Sequence, residues 1–283
     1  MSVVTSEGVQ RRVMRIRFGL QMRRLREAAG LQSKDAAKAL RVNPSRLSRF
    51  ERGAASLKAA EVDVLLKLYE TPDEHAERLR ALGDEARRRG FKLDVPDWAE
   101  TYIALEAVAD EIKIYNGELV PGLLQTEDYA HALIRTSPKT VPPGSVDDAV
   151  ATRLGRQERM NDSSFKIWVM LGEAVLHRPV GGADVLREQL LHLHTLNKQE
   201  NVCIQLIPYE AGGHAALGTS FAMFRMVDLA ATFVYVEWLT DSVYIDQPED
   251  IEVYGYVCNK LMASGTDKPT TQRMLTRRIR DLS

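Results

Sequence analysis

Residues 33–53 read SKDAAKALRVNPSRLSRFERG, and this stretch decides the fold of the N-terminal third of the chain. Two short segments flank Arg41-Val42-Asn43. Ala36, Ala37 and Leu40 share one apolar face of the first segment at helical spacing. Asn43 is a favoured N-cap residue, and Pro44 takes the first helical position, where a missing N–H leaves no bond unmade. Leu47 and Phe50, three apart, give the second helix its inward face, and Gly53 supplies its stop. Ser45, Arg46, Ser48, Arg49 and Arg52 are left pointing outward. A short helix that buries Leu47 and Phe50 and presents serines and arginines suits the major groove of duplex DNA. Arginine reaches guanine O6 and N7 there, and serine serves base edges or phosphates. The plainer alternative is a helical hairpin with a solvated basic face.

Charge follows the same division. The 283-residue chain has a formal net charge of −1, which hides an asymmetry. Residues 1–90 hold 20 Lys+Arg against 12 Asp+Glu, residues 91–283 hold 18 against 27, and residues 10–58 alone hold 14 against 3. A basic first part suits a phosphate backbone, where each neutralised phosphate releases counterions. Only Phe18, Phe50 and Tyr69 of the 19 aromatics fall in the first 90 residues, which implies a small helical domain followed by a different kind of core. No apolar run approaches the ~18–20 residues that span a membrane. The stretch MSVVTSEGVQRR has no apolar signal core. Cys203 and Cys258 form neither a metal pattern nor a disulfide framework. These features lead to the expectation of cytoplasmic residence.

Taken in order, residues 1–10 read as a flexible tail, and 11–29 as a helix with Phe18, Met22, Leu25 and Ala29 on one side. Gly30 ends it. Glu51 is the lone acid of the second motif helix, and a structural ion pair with Arg23 or Arg26 is expected. Residues 59–69 and 74–89 are a fourth and a fifth helix. DVPD at 94–97 is the candidate border. Beyond it, helices are expected over 98–109, 126–134, 145–160, 183–197, 248–263 and 270–282. Strands are expected over 111–115, 165–171, 202–207, 221–226, 232–237 and 243–245. Residues 136–144 (TSPKTVPPG) read as a loop. Strands in a run with helices on one face suggest an α+β domain on a largely antiparallel sheet.

The 33–53 stretch resembles the helix-turn-helix of XRE-type (phage-repressor-like) regulators. Ala37 stands where the two helices cross, Val42 plugs the turn, and SRLSRFERG is close to the second-helix signature. Two positions depart from that pattern: Arg41 replaces the usual turn glycine, so a left-handed backbone there carries a steric cost, and Ser33 replaces a frequent glutamine. The second half resembles the C-terminal domain of unassigned function found in many actinobacterial XRE-type regulators. The segments that carry this likeness include TYIALEAVADEIKIYNGELVPGLLQTEDYA, WVMLGEAVLHRPVGG and NVCIQLIPYEAGGHAALG. The likeness implies a DNA-bound, toxin–antitoxin-like regulator without established catalysis. It also implies a small partner protein encoded by a neighbouring gene.

Other candidate chemistry is thin. His192 and His194 are two apart on a helix and diverge by about 200°, so they do not chelate one metal. No G-x-x-x-x-G-K, G-x-S-x-G or H-E-x-x-H occurs, and no cofactor, metal or catalytic group is expected. GGHAALG around His214 reads as a mobile hairpin loop. LVPGLLQ (119–125) is either a buried loop or the wall of a groove. In the second case Tyr115, Leu119, Pro121, Leu123, Trp168 and Trp238 are the candidate pocket for a partner or ligand.

The reading as a whole is of an α+β protein with a flexible tail (1–10), an all-α five-helix DNA-binding domain (11–90) and a C-terminal α+β partner-binding, ligand-binding or dimerisation domain (91–283). It would be a sequence-specific transcriptional regulator that is not an enzyme. Ser45, Arg46, Ser48 and Arg49 are assigned to base edges, and Ser33, Lys34, Asn43 and Arg52 to the DNA backbone. One such helix reads few base pairs, so a homodimer on two half-sites is expected. The alternative is an antitoxin-like module that sequesters a small partner and binds DNA only to regulate itself.

Overall fold

Where each helix can stop shapes the first of the two units into which the chain divides, Met1–Val108 and Ala109–Ser283. The computed structural model describes residues 6–53, 55–87, 97–136, 145–227, 231–239 and 242–283. In the first unit these form α1 (Ser6–Ala28), α2 (Ser33–Ala39), α3 (Pro44–Glu51), α4 (Ala59–Leu68), α5 (Asp73–Arg87) and α6 (Asp97–Val108). α1, α2 and α4 each end on a left-handed residue: Gly30 (φ 68°), Arg41 (φ 55°) and Glu70 (φ 50°). After α2, Val42 N–H donates to the Ala37 carbonyl at 3.0 Å and Arg41 N–H to the Lys38 carbonyl at 3.1 Å. That bond pair is the Schellman motif, which satisfies carbonyls a helix end would otherwise orphan. The turn therefore keeps its left-handed geometry without glycine, at a local cost of about 1–2 kcal/mol.

One apolar cluster joins α1 to α5. It includes Phe18 and Met22 of α1, Ala36 and Ala37 of α2, Leu47 and Phe50 of α3, and Val62, Leu65 and Leu66 of α4. Phe18 and Phe50 meet edge to face with centroids 5.5 Å apart. The α1–α3 crossing depends on two glycines. A Cβ at Gly19 would collide with the Phe50 and Glu51 carbonyls, and one at Gly53 would lie 2.7 Å from the Ile16 backbone. Arg26 of α1 and Glu51 of α3 close the crossing as a buried, two-toothed ion pair, with Nε–Oε1 2.6 Å and Nη2–Oε2 3.0 Å. Arg23 pairs with Glu27 instead.

Two expectations change here. The tail is shorter than residues 1–10, because α1 starts at Ser6; residues 1–5 lie outside the described residues. The proposed border at 90/91, the DVPD stretch up to residue 96 and the arginines at 88 and 89 also lie outside them. α6 packs along α1 and so falls in the first unit, which ends at Val108.

The second unit is built on β1 (Glu111–Asn116), β2 (Lys166–Gly172), β3 (Val202–Ile207), β4 (Phe221–Met226), β5 (Ala231–Glu237) and β6 (Ser242–Ile245), in the order β3-β2-β1-β4-β5-β6. β1 pairs with β2, and β2 with β3, in parallel; the pairs β1–β4, β4–β5 and β5–β6 are antiparallel. The sheet is thus mixed, and the largely antiparallel expectation describes only one side of it. The reason is connectivity. α7 (Glu127–Arg135) and α8 (Ser145–Gly155) lie between β1 and β2, and α9 (Ala183–Leu196) lies between β2 and β3. Strands joined through a helix run parallel, whereas short connections after β4 and β5 return the chain antiparallel. Most of the loop read at 136–144 lies outside the described residues, and the 145–160 helix gives way to a 3₁₀ stretch at Arg156–Asn161.

Helices on one face only is a second expectation the structure corrects. Tyr115, Met170, Phe221 and Val234 bury one sheet face against Cys258 and Leu261 of α10 (Pro248–Ser264). The alternate residues Ile112, Ile114, Ile167, Val169, Leu171, Ile204 and Leu206 are all 3% exposed or less, so the other face is covered too. The general right-handedness of such crossovers assigns that face to the connecting helices α7, α8 and α9. α11 (Lys268–Asp281) packs beside α9 and β3. The β3 edge is closed by side chains: Asn197 Oδ1 accepts from Ile204 N–H at 2.8 Å, and Thr266 Oγ1 from Leu206 N–H at 3.0 Å. Such capping keeps an edge strand from recruiting another chain. Among the described residues no helix is long and apolar enough to cross a membrane.

Candidate nucleic-acid interface

α3 owes its position to what it buries. Leu47 is 0% and Phe50 2% exposed and Glu51 is buried beside them, which turns the Ser45 and Arg49 side of the helix outward. Asn43 caps it: Oδ1 accepts from Ser45 N–H at 2.9 Å, and the Ser45 hydroxyl donates to the same oxygen at 2.9 Å. Ser45 and Arg49 are exposed, and Arg46 and Ser48 half-buried. Of the residues assigned to the DNA backbone, Lys34, Asn43 and Arg52 are exposed, and Ser33, at the start of α2, is half-buried. All eight therefore sit on the helix pair α2–α3 or at the α3 cap.

Arg46 is held, by a partner that no direct sequence signal announces. Its Nη2 lies 3.0 Å from Glu61 Oε1 and donates to Oε2 at 3.2 Å. Glu61 is itself anchored, because Oε2 accepts the Lys58 N–H at 2.7 Å across the first turn of α4. The readable signal was Glu61 three residues after the cap of α4, the spacing at which a carboxylate reaches back to the cap N–H. Arg46 is thus aimed by a carboxylate on the neighbouring helix. Beneath α3, the Arg26–Glu51 pair is spent on architecture. Arg26 also donates to the Leu31 carbonyl at 2.8 Å, and its ordinary pKa is raised by the Glu51 hydrogen bond.

In the second unit the 119–125 segment is a largely buried loop gripped from several sides. Gln125 Nε2 donates to the Val120 carbonyl at 2.6 Å, and Arg153 Nη1 donates to Gln125 Oε1 at 2.7 Å. Gln157 Nε2 donates to the Gln125 carbonyl at 2.7 Å. Gln189, 0% exposed on α9, donates to the Leu124 carbonyl at 2.7 Å and accepts from Thr126 N–H at 2.8 Å. Pro121 and Leu123 are buried and Leu119 half-buried. The amide clamp escaped sequence reading, although a glutamine inside the apolar stripe Leu186, Leu190, Leu193 was its visible sign.

The other pocket candidates stand elsewhere. Tyr115 belongs to the sheet face under α10. Trp168 is half-buried on β2, with Lys113 5.9 Å above its ring. Trp238 follows β5 and is 56% exposed. What does meet Tyr115 is the 212–218 loop read as a mobile hairpin: Tyr115 Oη lies 3.3 Å from His214 Nε2, and Ala216 is 1% exposed. The loop is pinned to the sheet at these points. Burial pushes the Tyr115 hydroxyl above its ordinary pKa and holds His192 below the ordinary imidazole value. Among the described residues no cluster of His, Cys, Asp or Glu forms a metal site.

Two family models match the chain. One, described as a helix-turn-helix domain, covers residues 17–79 and so encloses α2 and α3. The other, a domain of unknown function (DUF5753), covers residues 99–277. No curated protein and no solved structure matches. The second model spans more than half of the sequence, and the chain belongs to the DUF5753 family.

Proposed function

We propose that the protein is a sequence-specific, double-stranded-DNA-binding transcriptional regulator that works as a homodimer in the cytoplasm. The observation that carries this reading is α3, a capped helix that buries Leu47 and Phe50 and leaves Ser45, Ser48 and Arg49 on its outer side, inside a segment matched as a helix-turn-helix. Ser45, Arg46, Ser48 and Arg49 face base edges; Ser33, Lys34, Asn43 and Arg52 fix the register on the phosphates. Arg46 reaches its base from the Glu61 carboxylate, which limits the directions it reads. The basic balance of residues 10–58, 14 Lys+Arg against 3 Asp+Glu, supplies the salt-dependent part of the affinity. The second unit acts by binding a small partner protein or ligand rather than by catalysis. This is supported by the polar side chains around residues 119–125, which are used up on backbone groups and fixed in place.

The test is selection of bound duplexes from a random pool at near-physiological salt. An inverted repeat is the expected product. Arg49→Ala should then lose about 1–3 kcal/mol at one base position. An equal loss on every sequence would assign Arg49 to phosphate, and recovery of no motif would overturn sequence-specific binding by the chain alone.

A further inference from the structure

We propose that the outer face of α10 is a self-docking surface, on which a second copy of this chain packs its own α10 antiparallel. The proposal deepens the homodimer reading above by naming the surface, and it rests on that reading. α10 buries Cys258 and Leu261 against the sheet, and its opposite side exposes two large apolar residues, Val253 at 60% and Tyr256 at 61%. These belong to a stripe, Glu249, Val253, Tyr256 and Lys260, spaced four, three and four residues apart. That is the spacing at which a helix presents one seam to another helix.

The charges on this seam select the partner. The amino-terminal end of the stripe is acidic (Glu249, with Asp250 beside it) and the carboxyl-terminal end is basic (Lys260). A two-fold axis midway between Val253 and Tyr256 sets each residue against a defined mate. Val253 meets Tyr256 of the other copy, and Glu249 meets Lys260. The seam is complementary to its own antiparallel image, as an isologous contact requires, since every contact then occurs twice. Lys260 Nζ already lies 5.4 Å over the Tyr256 ring, beside the point the axis would cross. The β3 edge offers no competing route, being closed by Asn197 and Thr266. One helix pair is small beside obligate interfaces, so the dimer is reversible and is reinforced when two half-sites hold both copies.

The experiment is sedimentation equilibrium of the full chain and of three variants. Wild type should dimerise reversibly. Lys260→Glu replaces two attractions with two repulsions and should raise the dimer dissociation constant about tenfold or more. Glu249→Lys with Lys260→Glu reverses the pair and should return it to within about threefold of wild type. Tyr256→Asp should leave monomer, with unchanged circular dichroism showing that the unit stays folded. If wild type dimerises and none of the variants alters it, the α10 surface is overturned while the homodimer reading stands. If wild type remains monomeric to on the order of 100 µM, both are overturned.

Discussion

The two units bury polar groups by opposite means. The first places a full charge pair, Arg26 and Glu51, in the α1–α3 crossing, with side chains 8% and 7% exposed. The second fills the equivalent need with neutral amides, Gln125 and Gln189, each closing onto backbone carbonyls around residues 119–126. An ion pair leaves an uncompensated buried charge when one partner is lost, whereas an amide leaves only unpaired dipoles. The difference suits their settings. α1 and α3 approach to backbone contact at Gly19 and Gly53, and a charge pair admits one register. The 119–125 segment has only one 3₁₀ turn of its own, Gly122–Leu124, and amides, which donate and accept at once, satisfy backbone groups that turn leaves open.

The largest expected effect separates the two strategies. Glu51→Ala should cost the first unit about 3–5 kcal/mol, read by denaturant unfolding, because Arg26 is left charged and buried. Arg26→Met with Glu51→Leu should recover most of that loss; if the double variant is as unstable as the single, the penalty is not electrostatic. Next in size, Gln189→Leu should cost the second unit about 1–3 kcal/mol by leaving the Leu124 carbonyl and Thr126 N–H unpaired. A loss equal to that of Glu51→Ala would erase the contrast.

Smaller again is a gain. Arg41→Gly should stabilise the first unit by up to about 1 kcal/mol, since relief of the left-handed residue outweighs the added chain entropy of glycine. Calorimetry showing a lower Tm would mean that the Arg41 side chain contributes more than its strain costs. The smallest effect is in pH. Burial lowers the His192 pKa in the folded chain, so unfolding takes up a proton wherever the unfolded imidazole is charged and the folded one is not. Stability from this group is fully present above the ordinary value of about 6.5 and is lost as pH falls from there through the folded pKa. Thermal unfolding of the second unit followed down in pH should show this decline, and His192→Gln should flatten it.

Most of the first unit was readable because its signals are local. A cap, a proline at the first turn, a stop glycine and apolar spacings of three and four act within a few residues, and α2 and α3 appear where they placed them. Strand positions in the second unit were equally legible, down to Val202–Ile207 and Phe221–Met226. The helices expected between the first three strands already implied parallel pairing. Alternating strands and helices carry that meaning even when a later run of strands suggests a meander. The eight interface residues were brought together on α2 and α3, whereas the six pocket candidates were divided between a clamped segment, a sheet face and an exposed strand end.

The sequence by itself determined most of the elements, the basic first part, the outward Arg49 of α3 and that Glu51 pairs with an arginine of α1, because each depends on neighbours along one helix or on the chemistry of a lone acid; that the partner is Arg26 and not Arg23 was decided by the helix crossing. Only the tertiary structure decided that Glu61 holds Arg46, that Gln189 closes the 119–126 segment 63 residues away, and that His214 meets Tyr115 across 99 residues. A side chain's partner at such separations is set by sheet order and helix crossing. Those are chosen by the burial of the whole apolar surface rather than by any pattern within a single element.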